Sequence, residues 1–347
     1  MNPEGFARPA VFSYDNPMEE AISFTAPLWL RNGHSMTVVP KFWPRGNGLN
    51  RLPVERRLFT VALHTQILGY CHWQHNRMKA PTMLLLHGLE GSSESHYMVG
   101  LAAKGWNAGF NVLRLNQRTC GGSEALSATL YNSGLSDDFR AIVQELTVID
   151  RLDRLWFVAY SMGGNVALKM AGEIGTALPS LRGLMVVSPN IDPTQCVQAL
   201  ERPSNRLYHD HFVKGLKARI LRKAALCPDR WDTTALAQIR TIRAFDDIYT
   251  APDGGYRDVV DYYNRSGARH VMGEIRVPTV IFTAQDDPFI PASMFEASAI
   301  KSNPNIALVM TRYGGHCGFF QKRRPGEDRF WVENRIMEQL SIRSRRG

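Results

Sequence analysis

Six short apolar runs alternate with stretches of helical periodicity, and this alternation constrains the fold more than any other feature of the chain. In each run, both the odd and the even positions are largely apolar, as expected for strands buried on both faces of a parallel sheet. They lie at 82–87, 111–116, 155–160, 183–188, 279–284 and 306–311, and the helical stretches lie near 96–108, 137–150, 162–175, 292–301 and 327–340. Strand–helix alternation predicts right-handed βαβ units and a doubly wound, mostly parallel α/β sheet. In such sheets the chemistry lies beyond the carboxyl ends of the strands.

The remaining segments divide the chain into three predicted parts. Residues 1–50 are rich in Pro, Gly and aromatic side chains, and they indicate an irregular arm packed on the core. The core covers 51–190 and 272–347, and it begins with two runs, 56–61 and 67–73, that predict a β-hairpin. Residues 191–271 lack a convincing strand and indicate a helical cap inserted between two core strands, with helices packed on the sheet edge as the alternative.

A candidate nucleophile, Ser161, stands between an apolar run and a helical stretch. The sequence Ala159-Tyr160-Ser161-Met162-Gly163 is close to the G-x-S-x-G pattern of a strained strand-to-helix turn, with alanine in place of the first glycine. Such a turn projects a serine hydroxyl into a cleft, and small residues two before and two after the serine allow the helix to pass close to the strand. A Gly-rich turn without chemistry is the alternative.

The acid and the base of a triad are expected later in the chain, in the order Ser, Asp, His. Asp286 and Asp287 follow the fifth parallel run, and His316 follows the last one between glycines. A histidine near neutral pH can take the serine proton, and a carboxylate behind it fixes the imidazole tautomer. We predict Asp287 as the carboxylate because it lies at the end of its turn, with Asp286 as the alternative.

The loop that follows the first parallel run is the expected second side of an oxyanion hole. It reads His-Gly-Leu-Glu-Gly-Ser-Ser at 87–93. We predict the backbone N–H of Leu89 as one donor and the N–H of Met162, at the start of the helix after the serine, as the other. His87 is predicted to brace this loop.

Other polar residues permit two interpretations each. Tyr262 and Tyr263 could line an acyl channel or pack inside the cap. Glu90 could bind a metal ion, but loop solvation or local hydrogen bonding is the simpler interpretation. Asn165 could brace the serine turn or support only the first turn of its helix.

Charge and cysteine content restrict the partners and the compartment. The formal net charge is +9, but the basic residues are dispersed, so a solvated surface is the first interpretation and weak attraction to anionic lipid the second. No nucleic-acid-binding module is recognised. Five isolated cysteines favour a reducing compartment. Without a signal-peptide pattern or a long apolar run, we expect a cytoplasmic protein, with peripheral attachment to the inner membrane face as an alternative.

Several motifs resemble the YheT-like branch of the α/β-hydrolases over about residues 20–335. They include HGLEGSSES at 87–95, SMGGN at 161–165, DDPFIP at 286–291 and GGHCGF at 314–319. The resemblance implies an α/β-hydrolase fold that cleaves carboxylic esters, including lipid esters, and its triad carries over to Ser161, Asp287 and His316. Ala159 and the turn Arg118-Thr119-Cys120 depart from the family pattern, which affects substrate fit rather than the catalytic atoms.

The sequence therefore predicts a serine hydrolase acting on a small-molecule ester or a lipid, without a metal ion or organic cofactor. A thioesterase or an amidase with the same triad is the first alternative. A ligand-binding protein built on a hydrolase fold is the second. The substrate, the acyl chain length and the oligomeric state are left open.

Overall fold

The computed structural model describes residues 23–45 and 48–344. The predicted features at 1–22, 46–47 and 345–347, which include much of the predicted arm, lie outside the described residues. The strands are β1 Glu55–Ala62, β2 Thr65–His72, β3 Thr82–Leu86, β4 Asn111–Leu115, β5 Leu155–Tyr160, β6 Leu181–Val187, β7 Thr279–Ala284 and β8 Ile306–Thr311.

The longer helices are α1 Gly33–Phe42, α2 His96–Asn107, α3 Ser136–Val148, α4 Met162–Ile174, α5 Pro193–Leu200, α6 Arg206–Leu226, α7 Val259–Ser266 and α8 Trp331–Ser344. Shorter helical segments are Ile242–Phe245, Ala251–Asp253 and Ser298–Lys301, and Asp246–Thr250 forms a π-helical turn. Short 3₁₀ turns include Leu28–Leu30 and Ala292–Glu296. Within the described residues, no helix combines the length and the hydrophobicity needed to cross a bilayer.

All eight strands form one sheet in the order β1-β2-β4-β3-β5-β6-β7-β8. β1 and β2 form the predicted antiparallel hairpin, β2 pairs antiparallel with β4, and every later pair is parallel. The doubly wound, mostly parallel sheet predicted from the apolar runs is therefore confirmed.

Helices cover both faces of the central strands, which explains why these strands lack a polar face, whereas the edge strand β1 keeps an exposed face. In β3, Leu84 and Leu86 pack in a core layer with residues of α3 and α4, whereas Met83 and Leu85 pack in a second layer with residues of α2 and α8. Successive strand residues point to opposite faces. A strand whose two faces are both covered must therefore be apolar throughout.

The stretch between β6 and β7, all of it described, contains α5, α6 and α7 and no strand. This agrees with the predicted helical insertion. Its apolar side chains, such as Leu216 and Ile220 of α6, join the same core layer as α3 and α4. The division into arm, core and cap with the boundaries given above stays a prediction.

The described part of the predicted arm is not irregular throughout, because residues 33–42 form helix α1. The Asn32 side chain accepts hydrogen bonds from the backbone N–H groups of His34 and Ser35 and so caps this helix. Pro40 inside the helix and the β-branched residues before it concealed the helix in the sequence, since they favour other conformations. Tertiary packing offsets these preferences, because Met36 and Pro40 are buried.

Candidate active site

Ser161 occupies a strained turn between β5 and α4. Its backbone has φ 52° and ψ −122°, in the region that side chains other than glycine seldom adopt. The turn is held by a hydrogen bond of 2.8 Å from the Ser161 N–H to the Val187 carbonyl. A Cβ on Gly163 would lie 2.4 Å from the His87 carbonyl oxygen, so this position requires glycine. The alanine at 159 is fully buried in β5.

His316 joins Ser161 to Asp287. Its Nε2 lies 3.0 Å from the Ser161 Oγ, and its Nδ1 lies 3.0 Å from the Asp287 Oδ2. The other carboxylate oxygen, Oδ1, accepts hydrogen bonds from the N–H groups of Phe289 (2.9 Å) and Ile290 (3.1 Å). Because both carboxylate oxygens are engaged, the Asp287 side chain is fixed in orientation, and none of it is exposed.

The charge on Asp287 affects how readily His316 takes up a proton. Burial by itself lowers the pKa of the imidazole, but the neighbouring Cys317 side chain and the Asp287 carboxylate oppose this, and the pKa is raised. The hydrogen bond between the Asp287 carboxylate and Nδ1 stabilises the imidazolium that forms when the histidine accepts a proton.

Among the described residues, Asp286, the alternative carboxylate, makes no hydrogen bond to the imidazole. Its Oδ1 accepts a hydrogen bond of 2.9 Å from the Gly315 N–H, and so it holds the backbone of the loop that carries His316. The two adjacent aspartates thus have different partners, with Asp287 on the ring of His316 and Asp286 on the backbone that precedes it.

Thr37 of α1 is a site residue that the sequence analysis missed. Its Oγ1 accepts a hydrogen bond of 2.8 Å from the His316 N–H and donates one of 2.6 Å to the Gly33 carbonyl. The close packing leaves no room for a side chain at Gly33, where a Cβ would lie 1.8 Å from the Asp286 carbonyl oxygen. Thr37 and His316 are 279 residues apart in the sequence, so no local motif could have linked them.

The loop after β3 lies directly against the serine, as predicted. A Cβ on Gly88 would lie 2.8 Å from the Ser161 Cβ. His87 braces this loop: its Nε2 accepts from the Gln117 N–H at 3.1 Å, and its Nδ1 lies 2.8 Å from the Gly88 carbonyl oxygen. Burial lowers the pKa of His87 to about 4, so its ring is neutral, with the proton on Nδ1.

The two predicted oxyanion donors belong to residues that share a cavity with the serine. Leu89, Met162, Ser161 and His316 all line it. Among the described residues, neither the Leu89 nor the Met162 N–H donates a hydrogen bond to another protein group. Their assignment as oxyanion donors stays a prediction.

This cavity has a volume of about 70 Å³, and both apolar and polar side chains line it. It is small beside the roughly 300–1,000 Å³ of typical ligand sites. Its apolar lining comprises Leu89, Val197, Leu200, Phe212, Leu216, Ile242, Phe289 and Ile290, and its polar lining includes Asn132, Ser133, Asn190, Asp246, Thr250, Tyr262 and Tyr263.

Tyr262 and Tyr263 pack within the inserted helices and also line the cavity, so the acyl-channel role considered for them stays a prediction. The Tyr262 hydroxyl accepts from the Ser133 N–H at 3.0 Å, and the Tyr263 hydroxyl donates to Asp246 Oδ2 at 2.8 Å. Burial raises the pKa of Asp246 to about 6. No ion pair to Asp246 is present among the described residues, so this carboxyl relies on hydroxyl donors.

Asn165 does more than support the first turn of α4. Its Nδ2 donates to the carbonyl oxygens of Ser133 (3.0 Å) and Ser266 (2.8 Å), and its Oδ1 accepts from the Ala268 N–H at 2.7 Å. The side chain is fully buried. It therefore fixes the serine helix to the loop after β4 and to the end of α7.

Glu90 makes the hydrogen bonds considered for it in the sequence analysis. Its Oε1 accepts from Arg219 Nη2 at 2.8 Å and from the Tyr131 hydroxyl at 2.7 Å, and the side chain is 11% exposed. Residue Arg219 lies on α6 of the insertion, so the pair joins the inserted helices to the oxyanion loop. Across the described residues, no group of three or more His, Cys, Asp or Glu side chains could hold a metal ion.

The sequence and the fold were compared with those of known proteins. A sequence profile of the family described as alpha/beta hydrolase fold matches residues 81–323. The chain is similar to "Putative esterase YheT" of Escherichia coli (strain K12), with 30% identity over 331 residues that cover 94% of this chain and 95% of the relative.

It is also similar to phospholipase ABHD3 of Mus musculus, with 29% identity over 242 residues that cover 70% of this chain. The match spans 59% of the length of that mouse protein. Among solved structures, 2,6-dihydroxy-pseudo-oxynicotine hydrolase superposes with a TM-score of 0.56 at 17% identity, over 83% of this chain and 67% of its own. An identity this low shows a common fold and nothing more.

Proposed function

Because the chain belongs to the α/β-hydrolase family, in its YheT-like branch, we propose that it is a serine hydrolase that cleaves a carboxylic ester through an acyl-serine intermediate. The relatives named as an esterase and a phospholipase support ester hydrolysis in general. The single observation that carries the finer proposal is the continuous hydrogen-bonded series from Asp287 through His316 to Ser161, with 3.0 Å at each step.

In the acylation step, the Ser161 Oγ attacks the ester carbonyl carbon while His316 Nε2 takes the serine proton. Asp287 keeps Nδ1 protonated and stabilises the imidazolium. The imidazolium then gives its proton to the departing alkoxide, which leaves as the alcohol. A water molecule, deprotonated by the same histidine, hydrolyses the acyl-serine, and the proton returns to Ser161.

Each half-reaction passes through a tetrahedral oxyanion. We assign its stabilisation to the N–H groups of Leu89 and Met162, since both residues line the cavity beside the serine. The start of α4 adds the positive end of a helix dipole at the same point. One such donor is worth about 2.7–4 kcal/mol in the transition state. No step requires a metal ion or an organic cofactor.

The walls of the cavity suggest the kind of ester. The apolar residues from α5, α6 and the loop after β7 suit an acyl chain, and the polar wall around Asp246 suits a part of the substrate with hydrogen-bond donors. The cavity of about 70 Å³ is smaller than a typical ligand site, so a long acyl chain would require the inserted helices to move. We therefore propose a short- or medium-chain ester or a lipid as the substrate.

Labelling with a fluorophosphonate probe tests the serine mechanism without knowledge of the substrate. We expect one equivalent of covalent adduct, which peptide mass spectrometry places on Ser161, and no adduct in Ser161→Ala. Absence of labelling in the folded wild type would support a ligand-binding protein instead.

A matched panel of substrates then identifies the bond that is cleaved. An oxygen ester, a thioester and an amide that share one acyl group separate esterase from thioesterase and amidase activity. We expect the highest kcat/KM for the oxygen ester. A preference of more than tenfold for the thioester or the amide would replace the esterase assignment while keeping the triad.

A further inference from the structure

The segment that precedes the sheet exposes four large apolar side chains within residues 28–42. Leu28 is 69%, Trp29 61%, Val38 40% and Phe42 75% exposed. Leu28 and Trp29 lie on the turn Leu28–Leu30, which contacts α1. Val38 and Phe42 are one helical turn apart on α1 and therefore share a face. We refer to these four residues as the apolar surface, and a concentration of this kind marks an interaction site.

The segment that carries the apolar surface has charged side chains of one sign only. Residues 23–45 contain no Asp or Glu, and Arg31 and Lys41 are exposed. The Lys41 ammonium lies 5.9 Å from the centre of the Phe42 ring. The guanidinium groups of Arg31 and the exposed Arg312 both lie over the Tyr313 ring, at 5.7 and 5.3 Å. Exposed cations thus flank the apolar residues.

The same helix reaches the candidate active site through its other face. Thr37 accepts the hydrogen bond from the His316 backbone described above. A series of ring contacts gives a second connection, in which His34 stacks on Tyr208, Tyr208 meets Phe289, and Phe289 meets His316. The apolar surface is therefore carried by an element that contacts the histidine loop directly.

We propose that the apolar surface docks on an anionic lipid bilayer. Exposed Trp, Phe and Leu side chains enter the boundary between headgroups and acyl chains, and neighbouring Lys and Arg side chains pair with anionic headgroups. A protein partner would have to be acidic as well as apolar at this site, whereas an anionic membrane offers both features over any area. Docking would hold the histidine loop near the membrane surface. Delivery of a lipid ester to the site rests on the proposed function, but membrane binding does not.

Sedimentation with vesicles tests this docking on the full-length chain. Wild type is mixed with vesicles of phosphatidylglycerol and phosphatidylcholine, or of phosphatidylcholine alone, at 50 and 500 mM salt. We expect binding to the anionic vesicles that weakens at high salt. The double variant Trp29→Ser/Phe42→Ser should lose at least about tenfold in partitioning, because two large apolar side chains no longer enter the lipid. Lys41→Ser should lose about fivefold, the contribution of one cation near an anionic surface.

The matched control is Val148→Ser/Ile149→Ser, at the end of α3. These side chains are 71% and 70% exposed, and their replacement should leave vesicle binding unchanged. Hydrolysis of a water-soluble ester should be the same in wild type and in all variants, since none of the substituted residues lines the cavity. Hydrolysis of a vesicle-borne ester should fall only in the Trp29/Phe42 and Lys41 variants.

Two results would overturn the docking proposal. The first is a wild type that does not sediment with anionic vesicles, or a Trp29/Phe42 variant that sediments as well as wild type. The second is a dimer, found by analytical ultracentrifugation without lipid, that this double variant abolishes, because the surface would then bind a second copy of the chain. A protein that binds vesicles but hydrolyses no ester would leave the docking intact and refute the proposed function alone.

Discussion

Replacing Thr37 with valine tests whether helix α1 positions the histidine of the candidate triad. Valine has the branching and nearly the size of threonine, but it lacks the hydroxyl. In Thr37→Val the His316 N–H loses its acceptor at 2.8 Å, and the Gly33 carbonyl loses its donor at 2.6 Å. The imidazole itself keeps its contacts with Ser161 and Asp287, so the perturbation acts on the backbone that holds the ring.

The expected loss follows from the cost of an unpaired polar group. A buried donor without a partner costs about 1–3 kcal/mol, and Thr37 is only partly buried, so we take about 1–2 kcal/mol. If the loop relaxes to recover this energy, the imidazole moves out of hydrogen-bonding alignment with the Ser161 hydroxyl. The same free energy then has to be supplied to reach the transition state, and kcat falls about 5- to 30-fold. Thr37 does not line the cavity, so KM should stay within about twofold.

Steady-state kinetics on a water-soluble ester measures both constants, with thermal unfolding measured in parallel. Thr37→Ser, which restores the hydroxyl, should recover most of the lost kcat. A folded Thr37→Val enzyme with wild-type kcat would refute the positioning role. A fall in kcat that serine does not restore would assign the effect to packing instead.

Four further substitutions test other parts of the site. Asp287→Asn should lower kcat/KM of ester hydrolysis by about 10³–10⁴-fold, because the imidazole loses its orienting charge. Asp286→Asn should lower it by less than about tenfold. Equal losses in the two variants would reject Asp287 as the carboxylate of the triad. Burial raises the pKa of Asp246 to about 6 from 3.8, so the folded state holds this proton more tightly than the unfolded state. The contribution of Asp246 to the free energy of unfolding should therefore fall by on the order of 2–3 kcal/mol as the pH rises from about 4 to 6. Guanidinium unfolding of wild type and Asp246→Asn measures this contribution as the difference between their pH profiles. Parallel profiles would contradict it. Arg219→Met should lower the free energy of unfolding by about 3–5 kcal/mol because Glu90 stays buried without its cation, and a loss under 1 kcal/mol in chemical denaturation would oppose this.

The central strands were predictable because they are buried on both faces, so that each of them is an apolar run in the sequence. Leu84 and Met83 are neighbours in the sequence and pack in opposite core layers, so both had to be apolar. The serine turn was predictable for a similar reason, since the close crossing at Gly163 excludes a side chain.

The parts that escaped prediction depend on contacts between distant segments. Helix α1 begins at a clear cap on Asn32, but Pro40 obscures its periodicity, and its role through Thr37 exists only once the histidine loop lies against it. Asp286 and Asp287 are adjacent in one turn, so only the direction of each side chain separates them. The pairing of Glu90 with Arg219 joins residues 129 positions apart and has no local signal.

Hydrolysis of p-nitrophenyl esters of increasing acyl length, by wild type and by Ser161→Ala, tests the central claim most directly. We expect wild type to hydrolyse the short- and medium-chain esters, with kcat/KM falling for chains too long for the cavity. The activity should rise with pH as His316 loses its proton, with a midpoint above the ordinary histidine pKa of 6.5, because the pKa of this residue is raised. Ser161→Ala should reduce the rate by several orders of magnitude. Ester hydrolysis that survives in this variant, or a folded wild type that hydrolyses none of the esters, would contradict the account.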